Sequence, residues 1–174
     1  MTLHTDLKEC RLRAWKPEDK PDLVRHANNR RIWRNLTDSF PHPYREADAD
    51  SWIQFANECT GSTHLAIEFS GTAIGGIGII AGEGLAVYSG QFGYWLGEQY
   101  WGRGIATAAA RAMVGHARSS LPFKRLESPV FEWNPASMRV LEKVGFVREG
   151  ILKRSVFKDG QLIDSFIYAL IVAA

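Results

Sequence analysis

Residues 94–106 read YWLGEQYWGRGIA, and this stretch decides the fold. An apolar strand pattern at 94–96 leads into a turn with Gly102 and Gly104, and a helical pattern begins at Ile105. The first turn of a helix has N–H groups without backbone partners and carries the positive end of the helix dipole. Glycine also lets the main chain approach an anion without an intervening β-carbon. The stretch therefore predicts a pyrophosphate pocket formed mainly by main-chain N–H groups.

Three interpretations of this stretch compete. The first is an ordinary strand–turn–helix connection with incidental glycines. The second is a dinucleotide fingerprint, which needs Gly or Ala where Thr107 stands and a ribose-binding acid near Glu127. The third is an acyl-coenzyme A pyrophosphate loop of pattern Q/R-x-x-G-x-G/A, which Gln99, Gly102 and Gly104 match. Three strands with hairpin-like spacing precede the stretch, and this disfavours the fingerprint, which normally begins a βαβ series.

Hydrophobic periodicity along the rest of the chain predicts one mixed α/β (α+β) domain over residues 1–174. The expected order is β-α-α-β-β-β-α-β-α-β-β, with strands at 10–15, 63–69, 73–80, 91–96, 125–131, 146–157 and 162–172. The expected helices span about 17–28, 47–59, 105–118 and 134–145. Asn134 followed by Pro135 suits a helix start, and Asp159-Gly160 suits a tight hairpin turn.

Composition excludes several classes of protein. The net charge of +2 is too small for a typical nucleic-acid binder, so we expect no nucleic-acid partner. Cys10 and Cys59 lack Cys-x-x-Cys spacing, so we expect neither a disulfide framework nor a metal site. Residues 1–9 lack a signal-peptide pattern, and no apolar run approaches the ~20 residues of a membrane helix. We therefore expect a cytoplasmic protein without membrane contact.

Two blocks of sequence resemble the GNAT N-acetyltransferase superfamily, in its RimJ/RimL-like branch of ribosomal-protein N-terminal acetyltransferases. The first block is GYWL at 93–96 with YWGRGIAT at 100–107, and the second is NPAS at 134–137 with VLEKVGF at 140–146. The segments PHPY at 41–44 and IGGIG at 74–78 extend the resemblance to nearly the whole chain. The sequence departs from the branch at Ala108 and Gln91, where related chains often have Glu.

The resemblance implies the GNAT fold, a mixed and mostly antiparallel sheet of about seven strands flanked by four helices. It also implies that one strand diverges from its neighbour and leaves a V-shaped gap for the pantetheine arm of acetyl-CoA, the expected co-substrate. The cofactor-binding residues that it implies are Tyr94, Trp95, Leu96, Gln99, Trp101, Gly102, Arg103, Gly104, Ile105, Ala106, Thr107, Asn134 and Ser137. Arg139 and Lys143 are further candidates for contact with the adenosine phosphates.

The resemblance also assigns roles in catalysis. Ser137 is the candidate general acid, which would protonate the departing thiolate. A base is needed because the acceptor amine must lose a proton before it attacks, and the candidates from residue type are Glu83, His42, Glu68 and Glu132. The loop at 35–44 is expected to line the acceptor side, with Trp33, Phe40 and Tyr44 as walls.

The expected reaction is direct transfer of the acetyl group to a primary amine within a ternary complex. A protein N-terminus or a peptide-like amine is the first candidate for the acceptor. The alternatives are a small amine such as a polyamine, an amino acid or an antibiotic, and a coenzyme A-binding module without turnover. Apolar edge strands near the C-terminus could pair between two copies of the chain, which predicts a homodimer.

Overall fold

The computed structural model describes residues 1–172, which form one eight-stranded sheet in the order β1-β2-β3-β4-β5-β6-β8-β7. Neighbouring strands are antiparallel except β5 and β6, which are parallel. The strands are β1 Thr2–His4, β2 Cys10–Arg13, β3 Thr63–Phe69, β4 Thr72–Ala81, β5 Ser89–Leu96, β6 Arg125–Phe131, β7 Val147–Lys158 and β8 Gln161–Ile171.

Five α-helices cover the two faces of the sheet: α1 Lys20–Ala27, α2 Arg30–Trp33, α3 Glu46–Glu58, α4 Ile105–Ser120 and α5 Pro135–Lys143. Single 3₁₀ turns lie at Pro17–Asp19, Gly84–Ala86 and Glu98–Tyr100. None of the helices within residues 1–172 is long and apolar enough to cross a bilayer.

Adjacent residues of β3 show how the sheet separates two hydrophobic cores. Ile67 belongs to the core under α4 and α5, where Met113 and Leu141 are completely buried. Ala66 points to the other face and belongs to the core under α1 and α3, which contains Leu23. Because both faces are covered, the five central residues of β3 are all buried.

The predicted mixed α/β fold is confirmed, with one more strand and one more helix than expected. The sequence analysis missed β1 and α2, because three or four residues are too few to show a hydrophobic period. The first predicted helix begins as a 3₁₀ turn, and α1 follows with Pro21 in its first turn. Pro21 has no N–H to donate to a preceding turn, which explains the break.

The feature that positions the site is the separation of β5 from β6. On the side that faces β4, β5 stays paired along its length, up to the pair Gly75–Leu96. On its inner side it pairs with β6 only where Ser89–Gln91 face Arg125–Glu127. Beyond that level the two strands diverge, and within residues 1–172 the main chain of 92–96 has no strand partner on the β6 side. The V-shaped gap implied by the resemblance is therefore present.

Candidate active site

A cleft of about 1410 Å³ opens where β5 and β6 separate. One part, the glycine-loop half, is lined by residues of 100–107 and 134–143 at the starts of α4 and α5. The other part, the aromatic half, is lined by residues of 31–55 together with His64 and Trp133. The strand residues of the gap, 91–96 and 128–131, join the two halves.

The glycine-loop half offers unoccupied main-chain donors. Gly102 and Gly104 have φ angles of +74° and +78°, in a region of backbone conformation that residues other than glycine rarely adopt. A β-carbon at either position would meet no other atom within 4 Å, so the loop faces open space. Gly104 caps α4 without a side-chain hydrogen bond, and the first turn of α4 contains no acidic residue. An anion can therefore reach the N–H groups at the start of α4.

Contacts from the first helices fix this loop. Glu98 accepts a hydrogen bond of 2.7 Å from Asn29 Nδ2 and forms an ion pair with Arg31. On the other side of the turn, Trp101 Nε1 donates to the carbonyl of Leu96 at 2.7 Å. The loop is therefore held on both sides by these contacts.

Most of the predicted cofactor-binding residues line the cleft, but two do not. The guanidinium of Arg103 lies over the rings of Phe69 at 4.9 Å and Tyr100 at 5.6 Å, outside the lining of the cleft. Gln99 is exposed and is also outside the lining. The predicted residues that line the cleft are Tyr94, Trp95, Leu96, Trp101, Gly102, Gly104, Ile105, Ala106, Thr107, Asn134 and Ser137.

A hydroxyl pair spans the gap between β5 and α5. Ser137 Oγ lies 2.8 Å from the hydroxyl oxygen of Tyr94, within hydrogen-bond distance. Asn134 caps α5 and accepts a hydrogen bond of 3.2 Å from the N–H of Ser137, which fixes the position of the serine. Burial raises the pKa of Tyr94 to about 12, so this phenol keeps its proton at neutral pH.

The aromatic half contains two clusters of rings. In the first, Phe40 packs against Tyr44 at 5.1 Å and Trp95 at 5.6 Å. In the second, Trp52 and Phe55 of α3 pack against His64 at 5.3 and 5.4 Å. The predicted acceptor walls Phe40 and Tyr44 therefore line the cleft. Burial raises the pKa of the Tyr44 phenol, which also stays protonated.

The predicted wall residue Trp33 lies outside the lining of the cleft. Its ring stacks on His42 at 5.6 Å, and the Lys158 Nζ atom lies 3.9 Å from the ring centroid. Lys158 comes from the end of β7 at the tip of the last hairpin. Trp33 thus joins the hairpin to α2, a packing role that the local sequence did not reveal.

None of the four predicted base candidates lines the cleft. His42 is exposed, and its ring faces Trp33 rather than the cleft. Glu83 and Glu132 are also exposed. Glu68 is 5 % exposed and pairs with Arg13 and Arg11. Burial opposes its ionisation, but these hydrogen bonds prevail and lower the pKa of the carboxyl.

The lining residues of the aromatic half that the sequence analysis missed include Arg34, His64 and Trp133. The guanidinium of Arg34 lies over the ring of Trp133 at 4.3 Å, and its Nε is buried without a hydrogen-bond partner among residues 1–172. Asp159 lies 3.9 Å from that atom. His64 carried one signal in the sequence, as a histidine in a mostly apolar strand that is followed by a glycine-rich one. Residues 1–172 contain no group of three or more side chains placed to hold a metal ion.

A protein-family profile described as "Acetyltransferase (GNAT) domain" matches residues 10–147. The chain therefore belongs to the GNAT acetyltransferase family.

Curated relatives are consistent with this assignment. The probable N-acetyltransferase YjcK of Bacillus subtilis is 38% identical over 86 residues, which cover 49% of this chain and 48% of the relative. YokL, a prophage-derived uncharacterized N-acetyltransferase of the same species, is 27% identical over 161 residues, 91% of this chain and 88% of the relative. The ribosomal-protein-serine acetyltransferase of Escherichia coli is 34% identical over 82 residues, 47% of this chain and 46% of the relative. Apart from YokL, the chain matches about half the length of these relatives.

Solved structures show the same fold. RimL, a ribosomal L7/L12 α-N-protein acetyltransferase in complex with coenzyme A, superposes with a TM-score of 0.88 at 20% identity. The superposition covers 99% of this chain and 98% of RimL. RimJ of Mycobacterium smegmatis, in complex with a coenzyme A disulfide, superposes with a TM-score of 0.85 at 24% identity. It covers 98% of this chain and 87% of RimJ.

Proposed function

We propose that the protein is an acetyl-CoA-dependent N-acetyltransferase that moves the acetyl group directly to a primary amine in a ternary complex. One observation carries this proposal: the gap between β5 and β6 leads to a helix start that no side chain caps. The gap offers main-chain groups to the amides of pantetheine, as a sheet edge offers them to an added strand. The start of α4 offers N–H groups to the pyrophosphate.

The residues of the glycine-loop half divide the work of binding. Tyr94, Trp95 and Leu96 present main-chain groups to the pantetheine arm, and the N–H groups of 105–107 hold the pyrophosphate. Arg139 and Lys143 line the same half and supply positive charge for the adenosine phosphates. Coenzyme A complexes of RimL and RimJ, which share this fold, support the choice of ligand.

The hydroxyl pair of Ser137 and Tyr94 serves the leaving group. When the carbon–sulfur bond breaks, the electron pair stays on sulfur, and Ser137 donates a proton to it and receives one from Tyr94. Tyr94 in turn takes up the N–H proton that the attacking amine loses as the amide forms. The high pKa of Tyr94 keeps this proton available at neutral pH. No covalent acetyl-enzyme is formed, because Cys10 is buried in the sheet and Cys59 lies outside the cleft.

The charges of the aromatic half favour a peptide-like amine over a polycation. Arg34 lines this half together with Arg31, which is paired with Glu98, whereas Asp48 is the only carboxylate among the described residues that line the cleft. Asp48 already accepts a hydrogen bond of 2.7 Å from the N–H of Arg45. A polyamine or an aminoglycoside would bring several positive charges to this surface, where they would be repelled. A protein N-terminus brings one.

The test measures thiol release from acetyl-CoA with a panel of acceptors: a pentapeptide beginning with serine, free serine, spermidine and an aminoglycoside. We expect the peptide to be the best acceptor, with a mass increase of one acetyl group at its N-terminus. Preferred turnover of spermidine would contradict the acceptor proposal. Coenzyme A binding without amine-dependent thiol release from any acceptor would instead favour a binding module.

The assembly of the protein is a further part of the proposal. β7 is an edge strand whose exposed apolar side chains include Val147, Leu152 and Phe157. Light scattering at several protein concentrations will show whether the chain is the homodimer that such an edge favours. A cytoplasmic location also stays a prediction.

A further inference from the structure

We propose that His64 is the general base that takes a proton from the acceptor amine, an inference that rests on the proposed function. An amine bound at neutral pH is mostly protonated, because an N-terminal amine has a pKa of ~8 and a lysine amine ~10.4. Its nitrogen has no free electron pair until a proton leaves. A group that lines the cleft and is itself unprotonated must accept that proton.

Among the side chains that line the cleft, His64 is the one suited to accept this proton. Within residues 1–172 the lining contains one carboxylate, Asp48, and one histidine, His64. Asp48 is engaged by the N–H of Arg45 in the first turn of α3, and a carboxylate is a weak base for an ammonium ion. The tyrosine phenols of the lining are donors at neutral pH, and burial raises the pKa of Tyr44 and Tyr94.

The sheet directs His64 toward the gap. His64 pairs with Gly78 of β4, and Gly78 pairs with Gly93 of β5, so the three residues form one row that lines the cleft. A β-carbon at Gly78 would lie 2.8 Å from His64 Nδ1, which shows that the imidazole leans over Gly78. A β-carbon at Gly93 would meet nothing within 4 Å. Two glycines therefore leave a passage from the imidazole to β5.

This passage is short enough for proton transfer. Strands lie ~4.8 Å apart, so β3 and β5 are separated by about 10 Å across the row. An imidazole spans roughly half of that distance, and one water molecule spans much of the rest. The gap beside β5 is where the proposed function places the thioester and therefore the attacking amine.

The surroundings of His64 keep it unprotonated. The residues that pack on its ring from α3 are Trp52 and Phe55, and Gly78 faces it from β4. Asp48, one turn before Trp52, is the charged residue of α3 that lines the same cleft. Burial lowers the pKa of His64, which is therefore neutral at pH 7.

The structure gives this histidine no hydrogen bond that would explain its burial. His64 is 8 % exposed, and its Nε2 has no hydrogen-bond partner among residues 1–172. A buried polar atom without a partner destabilises the folded state, so an apolar residue would serve packing better. A role in proton transfer accounts for a histidine at this place.

One N–H proton of the acceptor ammonium passes through water to His64 Nδ1, and the freed electron pair forms the C–N bond with the thioester carbonyl carbon. The C–S bond then breaks, with its electron pair on sulfur. The second N–H proton is the one that sulfur gains through the Ser137–Tyr94 pair. His64 returns the first proton to solvent.

The test compares the pH dependence of kcat for the wild type, His64→Gln and His116→Gln, with the best acceptor of the panel at saturation. Wild-type kcat should fall at low pH with an apparent pKa below the ordinary histidine value of ~6.5, because protonated His64 cannot accept a proton. His64→Gln should lower kcat at pH 7 about 100-fold and remove this acidic limb, with the KM for acetyl-CoA unchanged. His116 of α4 is the matched control, since burial lowers its pKa too and it lies outside the cleft.

Two results would overturn the inference while leaving the proposed function intact. One is a His64→Gln enzyme with wild-type kcat and an unchanged acidic limb. The other result applies if this variant fails to fold. NMR titration of His64 in the wild type should then give the same pKa as the acidic limb of the kcat profile. A difference of more than about one pH unit between the two values contradicts the proposal. A wild type that releases no thiol with any amine contradicts the proposed function itself, and this inference with it.

Discussion

The two halves of the cleft are built from different parts of the chain. The glycine-loop half presents main-chain N–H groups at the start of α4 and at Gly102 and Gly104, where an added β-carbon would meet open space. The aromatic half presents side chains, with Phe40 and Tyr44 in one cluster and His64 in another. A backbone site needs only a few glycines, whereas a side-chain site changes with every substitution. We infer that the first half holds the ligand common to the family and that the second selects the acceptor.

The largest expected effect comes from Gly104→Val. A valine at a φ of +78° is strained, and its side chain would occupy the open space where the pyrophosphate is expected. Calorimetry should show coenzyme A affinity reduced by a factor of about 100 or more. Gly71→Val is the matched control, because Gly71 has a φ of +86° and open surroundings but lies in the β3–β4 turn away from the cleft. Equal losses of affinity in both variants would show that strain alone is responsible.

A smaller effect is expected from Ser137→Ala. Loss of the hydroxyl removes the proton donor to sulfur, but a thiolate leaves readily because a thiol has a pKa of only ~8.5. We expect kcat to fall about tenfold with unchanged coenzyme A affinity. Tyr94→Phe should give a similar loss, and the double variant should lose little more, because the two hydroxyls act as a pair. Full additivity of the two losses would contradict the pairing.

Phe40→Ala tests the aromatic half in isolation. Phe40 packs on Trp95 and Tyr44 at the wall of the cleft, so its loss should raise the acceptor KM about fivefold and leave coenzyme A affinity unchanged. Phe157→Ala is the control, since this side chain is 71 % exposed at the end of β7. A loss of coenzyme A affinity in Phe40→Ala would show that the two halves are not independent.

The smallest effect should follow from Arg34→Gln. With two serine peptides that differ in Glu or Gln at the second position, the wild type should prefer the acidic peptide about threefold in kcat/KM. The variant should lose this preference, because the substitution removes the guanidinium that lines the aromatic half. Arg30→Gln keeps the preference, as Arg30 pairs with Asp159 outside the lining. If Arg34→Gln keeps the preference for the acidic peptide, a role of Arg34 in acceptor recognition is contradicted.

The sequence predicts these two halves unequally well. The glycine-loop half lies within one contiguous stretch, so strand, turn and helix start are visible together, and Gly102 and Gly104 carry the signal. Tyr94 and Ser137 each lie in one of the two blocks that resemble the family, so both were predicted as cofactor-binding residues. Their mutual contact is visible only in the structure. Only Gln99 and Arg103 turned out to lie outside the lining, because side-chain direction on an exposed turn leaves no mark in the sequence.

The aromatic half combines residues from separate parts of the chain. His64 comes from β3, Trp52 from α3 and Arg34 from the end of α2, and only the fold brings them together. Residue type alone suggested Glu68 as a base, yet Glu68 pairs with Arg11 and Arg13 of the neighbouring strand β2. Likewise His42 follows Pro41 in the predicted loop but stacks on Trp33. Such pairings depend on tertiary contacts that a single sequence does not display.

The most direct test of the account is a coenzyme A titration of the ¹⁵N-labelled protein followed by amide NMR. We predict that the largest chemical-shift changes occur at the N–H groups of Ile105, Ala106 and Thr107 and at residues 94–96 of β5. A nicotinamide dinucleotide at equal concentration should leave the resonances of these amides unchanged. Coenzyme A binding that leaves these amides unshifted, or saturation of the same amides by the dinucleotide instead, would contradict the central claim.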